Sequence, residues 1–178
     1  MFVNDFVALD RPALAVVDGF MRLQPALGPM VLAAWQADQD LWAQLGLAEP
    51  DYVPHWPIQV EIGSPRMRPD AVVIALHWRT GDSEHRVALE ADLEIAAYGS
   101  NVTHLHLLGR YAFPPSVQRW SAEANRAHRA TIAAIRRLLQ MMADELTEIV
   151  DAAALESADE SEPGERARAI RLAEADAR

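Results

Sequence analysis

Residues 87–111 read Val-Ala-Leu-Glu-Ala-Asp-Leu-Glu-Ile-Ala-Ala-Tyr-Gly-Ser-Asn-Val-Thr-His-Leu-His-Leu-Leu-Gly-Arg-Tyr, and this stretch decides the fold. Leu89, Ala91, Leu93 and Ile95 alternate with Glu90, Asp92 and Glu94. Beyond Gly99-Ser100-Asn101, Leu105, Leu107, Gly109 and Tyr111 alternate with His104, His106, Leu108 and Arg110. A period of two marks strands with one apolar and one polar face. The turn residues between them predict a β-hairpin. A three-residue loop, Gly99 to Asn101, sets Leu93 opposite Leu107, Ile95 opposite Leu105, Glu94 opposite His106 and Glu90 opposite Arg110. A two-residue loop would set inward residues across from outward ones, which a buried face forbids.

The same period extends upstream. Ile58, Val60 and Ile62 alternate with Gln59 and Glu61, and Ile74, Leu76 and Trp78 with Ala75, His77 and Arg79. Turns are expected at Gly63 to Pro69 and Thr80 to Glu84. The pattern predicts an antiparallel sheet covered on one face only. Phe2 to Leu9 is read as a first strand. Asp10 as N-cap and Pro12 in the first turn introduce a helix over Ala13 to Leu23. After Pro25, Gly28 and Pro29, a second helix is expected over Met30 to Leu45, with Gly46 at its C-cap. Ala48 to Pro57, with three prolines, reads as a loop.

Downstream, Pro114 and Pro115 end the last strand and Ser116 is the N-cap of a long helix. Val117, Trp120, Ala124, Ala127, Thr131, Ile135, Leu138, Met142, Leu146 and Ile149 recur every three or four residues. The uncovered apolar face of the sheet is its natural partner. Near Val150 the composition breaks. Residues 1–150 form one domain in this reading, and 151–178 an acidic tail, disordered or partly helical.

The chain has 178 residues and a net charge of −10. An acidic surface repels phosphate backbones and anionic lipid heads, which argues against nucleic-acid and membrane-surface partners. There is no cysteine, which removes disulfides, thiolate catalysis and cysteine metal sites. All 16 basic residues are arginine, so Schiff-base and P-loop chemistry lack their lysine. No targeting segment is read near the start, and no apolar run approaches the roughly 20 residues a bilayer span needs; a cytoplasmic protein is the expectation.

The order of strand, two helices, antiparallel sheet and long C-terminal helix resembles the helix-grip fold of the START-like (SRPBCC) superfamily, in particular bacterial members of the polyketide cyclase/dehydrase type. Residues carrying the resemblance are Leu76-His77-Trp78, Glu90 to Ile95, Thr103 to Tyr111 with the prolines after it, His128-Arg129, and Arg136 to Leu139. It implies an α+β architecture in which a curved antiparallel sheet wraps around the C-terminal helix. It also implies a cavity between sheet and helix. No cofactor is assigned.

Candidate residues follow from facing. Between Ala122 and Ala134 the long helix carries alanine at 122, 124, 127, 130, 133 and 134, whereas Ile135, Leu138, Leu139, Met141, Met142 and Leu146 follow. Interiors pack to crystal density, so a cavity is expected beneath the first half. Trp78, Tyr111, Trp120, Ala124, Ala127, His128 and Thr131 are its candidate lining, with Asn125 a further polar group. His104 and His106 share a strand face assigned to solvent, where a zinc site competes with a solvated charge pairing to Glu94 and Glu90. Glu90, Asp92 and Glu94 lie on that same open face, which does not push carboxylate pKa values apart as acid/base work requires. No metal site and no catalytic residue is assigned. The leading expectation is a binder of a small hydrophobic or amphipathic molecule. The alternatives are a polyketide cyclase or aromatase-like enzyme using the same cavity, and a protein-interaction module.

Overall fold

The computed structural model describes residues 1–37, 58–80, 87–112 and 122–176. Strand β1 (Phe2–Leu9) leads into helix α1 (Ala13–Leu23), a 3-10 turn (Gln24–Ala26) and helix α2 (Leu27–Ala37). Strands β2 (Ile58–Ile62), β3 (Arg66–Met67), β4 (Ala71–Thr80), β5 (Val87–Ala97) and β6 (Thr103–Ala112) follow, and helix α3 (Ala122–Asp176) ends the described chain. The sheet runs in the order β1-β6-β5-β4-β2, with β3 also on β4, and each pairing is antiparallel. This is an α+β helix-grip arrangement: a curved sheet with the two N-terminal helices and the long C-terminal helix. Helix α3 packs on β1, α1 and α2.

The hairpin register is the one demanded by the burial of alternate residues. Leu93 pairs with Leu107, Ile95 with Leu105, Glu94 with His106 and Glu90 with Arg110. Tyr98 N–H donates to Val102 O at 2.8 Å and closes the loop over Gly99, Ser100 and Asn101. Gly99 has φ +89°, a conformation that glycine reaches without a Cβ penalty. Val72, Ile74, Leu76 and Trp78 of β4 continue the same buried face, as do Val3 and Leu9 of β1. Against it stand Val16, Phe20 and Leu23 of α1, Leu27, Val31 and Ala34 of α2, and Ile135, Leu138, Leu139, Met142 and Leu146 of α3.

Three local readings are corrected. Asp10 does not cap α1: Pro12 occupies the N-cap position, no side chain caps the helix, and Pro12 O accepts from Val16 N–H at 3.1 Å. Helix α2 begins at Leu27, before the expected Met30, because the 3-10 turn carries the chain on with little break and Gly28 and Pro29 sit in the first turn. There a missing N–H costs no intrahelical bond. The segment expected as one turn, Gly63 to Pro69, pairs over most of its length, and the reversal is confined to Pro69 and Asp70, where Arg68 N–H donates to Ala71 O at 2.8 Å. Gly63 N–H donates to Ala75 O, and pairing resumes at Arg66 with Val73. Ser64 and Pro65 thus stand opposite Ile74 alone, a β-bulge at the sheet edge where proline's missing donor breaks no ladder bond. The expected C-terminal part of the second helix, Gly46, the 48–57 loop, the turn after Thr80 up to Glu84, and Ser116 lie outside the described residues. Asp151 falls within α3, which runs on to Asp176.

Arg11 clamps the start of α1 to α3. Its Nε and Nη2 donate to Asp151 Oδ1 and Oδ2 at 2.7 and 2.6 Å. Thr103, buried at the start of β6, donates its hydroxyl to Arg11 O at 2.7 Å. The hydrogen bond from Arg11 holds the Asp151 carboxyl below its usual range, and that same bond raises the Arg11 guanidinium. A carboxyl depressed in the folded state contributes stability above its unfolded pKa and loses it as pH falls through the folded one. Asp151→Asn is therefore expected to lower the urea midpoint modestly at neutral pH and to match the parent at strongly acid pH. Urea titrations of both proteins across that range check it.

Candidate functional site

The site candidate rests on one row of residues across the inner face. Val60 of β2 pairs with Trp78 of β4, Trp78 with Leu89 of β5, and Leu89 with Tyr111 of β6. Trp78, Leu89 and Tyr111 are all buried. At the β1 side the row is completed by Met1, whose α-amino group donates to Tyr111 O at 2.8 Å and whose carbonyl accepts from Tyr111 N–H at 2.9 Å. Trp78 and Tyr111 stand two strand spacings apart, roughly 10 Å, with Leu89 between them.

Helix α3 brings His128 over the Tyr111 end of this row. The Tyr111 hydroxyl and His128 Nδ1 are hydrogen-bonded, and the two rings lie nearly parallel, 13° apart with centroids at 5.8 Å. The hydroxyl also donates to Met1 Sδ at 3.3 Å. A thioether only accepts, and a hydroxyl has a single proton. Both contacts form at once when His128 carries its proton on Nδ1 and donates it to the Tyr111 oxygen. Nε2 is then left as a hydrogen-bond acceptor. Thr131, buried one turn further along α3, lies on the same helix face.

The structure therefore joins Tyr111 with His128 and places Trp78 in the same row and Thr131 beside it. Trp120 lies outside the described residues, as do the side chains of Ala124 and Ala127. Asn125 is exposed. Met1 was not legible as a partner, since nothing in a terminal methionine signals that it will continue a strand. Asp5 is signalled by strand alternation: with Val3, Val7 and Leu9 facing inward, its carboxylate falls on the apolar face.

The outer face is occupied by its own pairings. Glu90 takes Arg110, Asp92 takes Arg66, and Glu94 lies 3.8 Å from Arg68. No ion pair joins the histidines to Glu94 or Glu90, although His106 stands opposite Glu94; other side chains hold both rings. His106 Nε2 is hydrogen-bonded to Asn4 Oδ1 at 2.6 Å. His104 is stacked between Tyr98 and Phe6, with centroids at 4.7 and 5.2 Å. Among the described residues no group of three His, Asp or Glu side chains is placed to hold a metal ion. A shallow groove of about 320 Å³ on this face is lined by Phe2, His77, Leu108 and the Glu90–Arg110 pair, among others. No described helix is long and apolar enough to cross a membrane.

No protein-family model matches the chain, and no curated protein matches it. Among solved structures it is similar to a protein of unknown function, SA2116, from Staphylococcus aureus, with a TM-score of 0.39 and 11% identity over 87% of this chain and 97% of that one. It is also similar to the Zhui aromatase/cyclase from Streptomyces sp. R1128, with a TM-score of 0.38 and 14% identity over 86% of this chain and 97% of that one.

Proposed function

We propose that the protein binds a small hydrophobic or amphipathic molecule between the inner face of the sheet and the start of α3, around His128. The observation that carries this reading is the Tyr111–His128 hydrogen bond at the end of a buried apolar row. Polar groups converging on an apolar surface are what fix a ligand's orientation in such a site. The helix side chains support the placement. From Ile135 to Leu146 large residues fill the grip, whereas around His128 the helix carries alanines. A ligand bearing a hydroxyl or N–H fits the acceptor left on His128 Nε2.

Native mass spectrometry of protein purified from its own host is expected to show a co-purified small molecule. Tyr111→Phe and His128→Leu keep the apolar volume and each lower its retention about tenfold, the worth of one buried hydrogen bond. Protein that carries nothing from its host, and retention unchanged in both variants, would each count against the reading.

The same pair favours a second reading, an enzyme of the cyclase or aromatase type in which His128 Nε2 accepts a proton from the bound molecule. Turnover that falls in Tyr111→Phe with KM unchanged is the result expected of catalysis. Loss of affinity alone is the result expected of binding.

A further inference from the structure

Strand β1 lies at the end of the sheet and, among the described strands, pairs only with β6. Met1 and Tyr111 exchange both backbone hydrogen bonds. In an antiparallel ladder such pairs alternate, so the odd residues Val3, Asp5, Val7 and Leu9 bond to β6. The even residues Phe2, Asn4, Phe6 and Ala8 turn their N–H and C=O groups to the open edge. Phe2 and Phe6 also show 84% and 58% of their surface on the outer face. A long edge strand with exposed aromatics is a template for another strand.

One device closes this edge. Asp5 points inward and its side chain is only 12% exposed. Its Oδ1 accepts the N–H of Phe6 at 3.0 Å, one of the outward-turned donors. Its Oδ2 accepts from Arg136 Nε of α3, also at 3.0 Å. The carboxylate is thus held by the helix while it occupies a donor that an added strand would need. An inward-pointing charge is a recognised means of protecting a sheet edge.

We propose that the β1 edge is a strand-addition surface for a second copy of this chain, held shut by the Asp5–Arg136 pair. The sequence around Asn4, Phe2-Val3-Asn4-Asp5-Phe6, is nearly symmetric. Two copies related by a two-fold axis at Asn4 pair Phe2 with Phe6 of the second copy, and both residues present outward-turned backbone groups. Of the two neighbouring registers that keep even residues opposite even ones, one sets Asp5 against Asp5, which like-charge repulsion disfavours, and the other, centred on Val3, brings only Phe2 and Asn4 into the pairing. The favoured register needs the Phe6 N–H that Asp5 holds.

Sedimentation of the full chain over the micromolar range tests this. The parent protein is expected to stay monomeric and Asp5→Ala to double its mass with rising concentration. Adding Phe6→Pro to Asp5→Ala removes the edge donor and is expected to restore the monomer. If Asp5→Ala does not fold, Arg136→Gln, which leaves the sheet sequence intact, is expected to show a weaker form of the same shift. Monomeric variants throughout, a dimer that survives Phe6→Pro, or a parent dimer that Phe6→Pro dissolves would each overturn the proposal.

Discussion

Gly109→Ala is expected to destabilise the fold by about 3 kcal/mol or more, at the upper end for forcing atoms into a packed interior. Gly109 pairs with Ala91. A Cβ at position 109 would stand 2.4 Å from Glu90 O, 2.5 Å from Ala91 Cβ and 2.6 Å from Ala91 Cα. Two of these three atoms are backbone, so no rotamer change gives way and β6 must move off β5. The adjoining inner-face pair on this ladder is Leu89 with Tyr111, so the displacement reaches the row that holds the candidate site. Gly28→Ala supplies the contrast. Its Cβ meets nothing within 4 Å inside helix α2, and alanine gains there by up to about 1 kcal/mol in helix propensity. Urea denaturation of the two variants should move the midpoint in opposite directions. A Gly109→Ala protein as stable as its parent would show that the strands separate at no cost.

Leu146→Ala is the second large effect, expected at about 3 kcal/mol within a span of roughly 2–5 for a buried leucine. Leu146 is fully buried on α3 beside Gly19 of α1. Gly19 of α1 leaves room there: a Cβ on it would lie 3.3 Å from Val150 and 3.4 Å from Leu146. Truncating Leu146 leaves a cavity beside a residue with no side chain to fill it, so little relaxation can offset the loss. Leu155, nine residues on and 73% exposed, is the matched control and is expected to change stability by less than about 0.5 kcal/mol. A Leu146→Ala midpoint close to that of Leu155→Ala would place the α1–α3 contact outside the folding unit.

The hairpin strands were legible because each buries one face, whereas at the start of β4 consecutive residues Ala71 to Ile74 are all buried. Glu90, Asp92 and Glu94 between Leu89, Leu93 and Ile95 leave only one way for β5 to lie, and the hairpin register follows from that alternation. The helix stripe from Thr131 to Leu146 was legible for the same reason at a period near 3.6. Ends were less so. The Pro12 cap, the early start of α2 and the bulge at Ser64-Pro65 depend on which backbone groups find partners, and a proline is compatible with several answers. Of the candidate site, Tyr111, His128, Trp78 and Thr131 were nameable as polar or aromatic groups on inward faces. That Tyr111 bonds to His128 was not, since it depends on how far along the sheet the helix is set.

The amino-acid sequence by itself determined the period of each element, the face each one buries, and through them the antiparallel register at the centre of the sheet. Those are local consequences of hydrophobic burial, repeated every two or every 3.6 residues. Tertiary structure alone decided which polar groups meet: Tyr111 with His128, Arg11 with Asp151, and Asp5 with Arg136, separated by 17, 140 and 131 residues. Each contact joins the long helix to a distant part of the chain. Its position is set by the summed packing of α1, α2 and β1 against α3, a sum to which no single stretch of sequence holds the key.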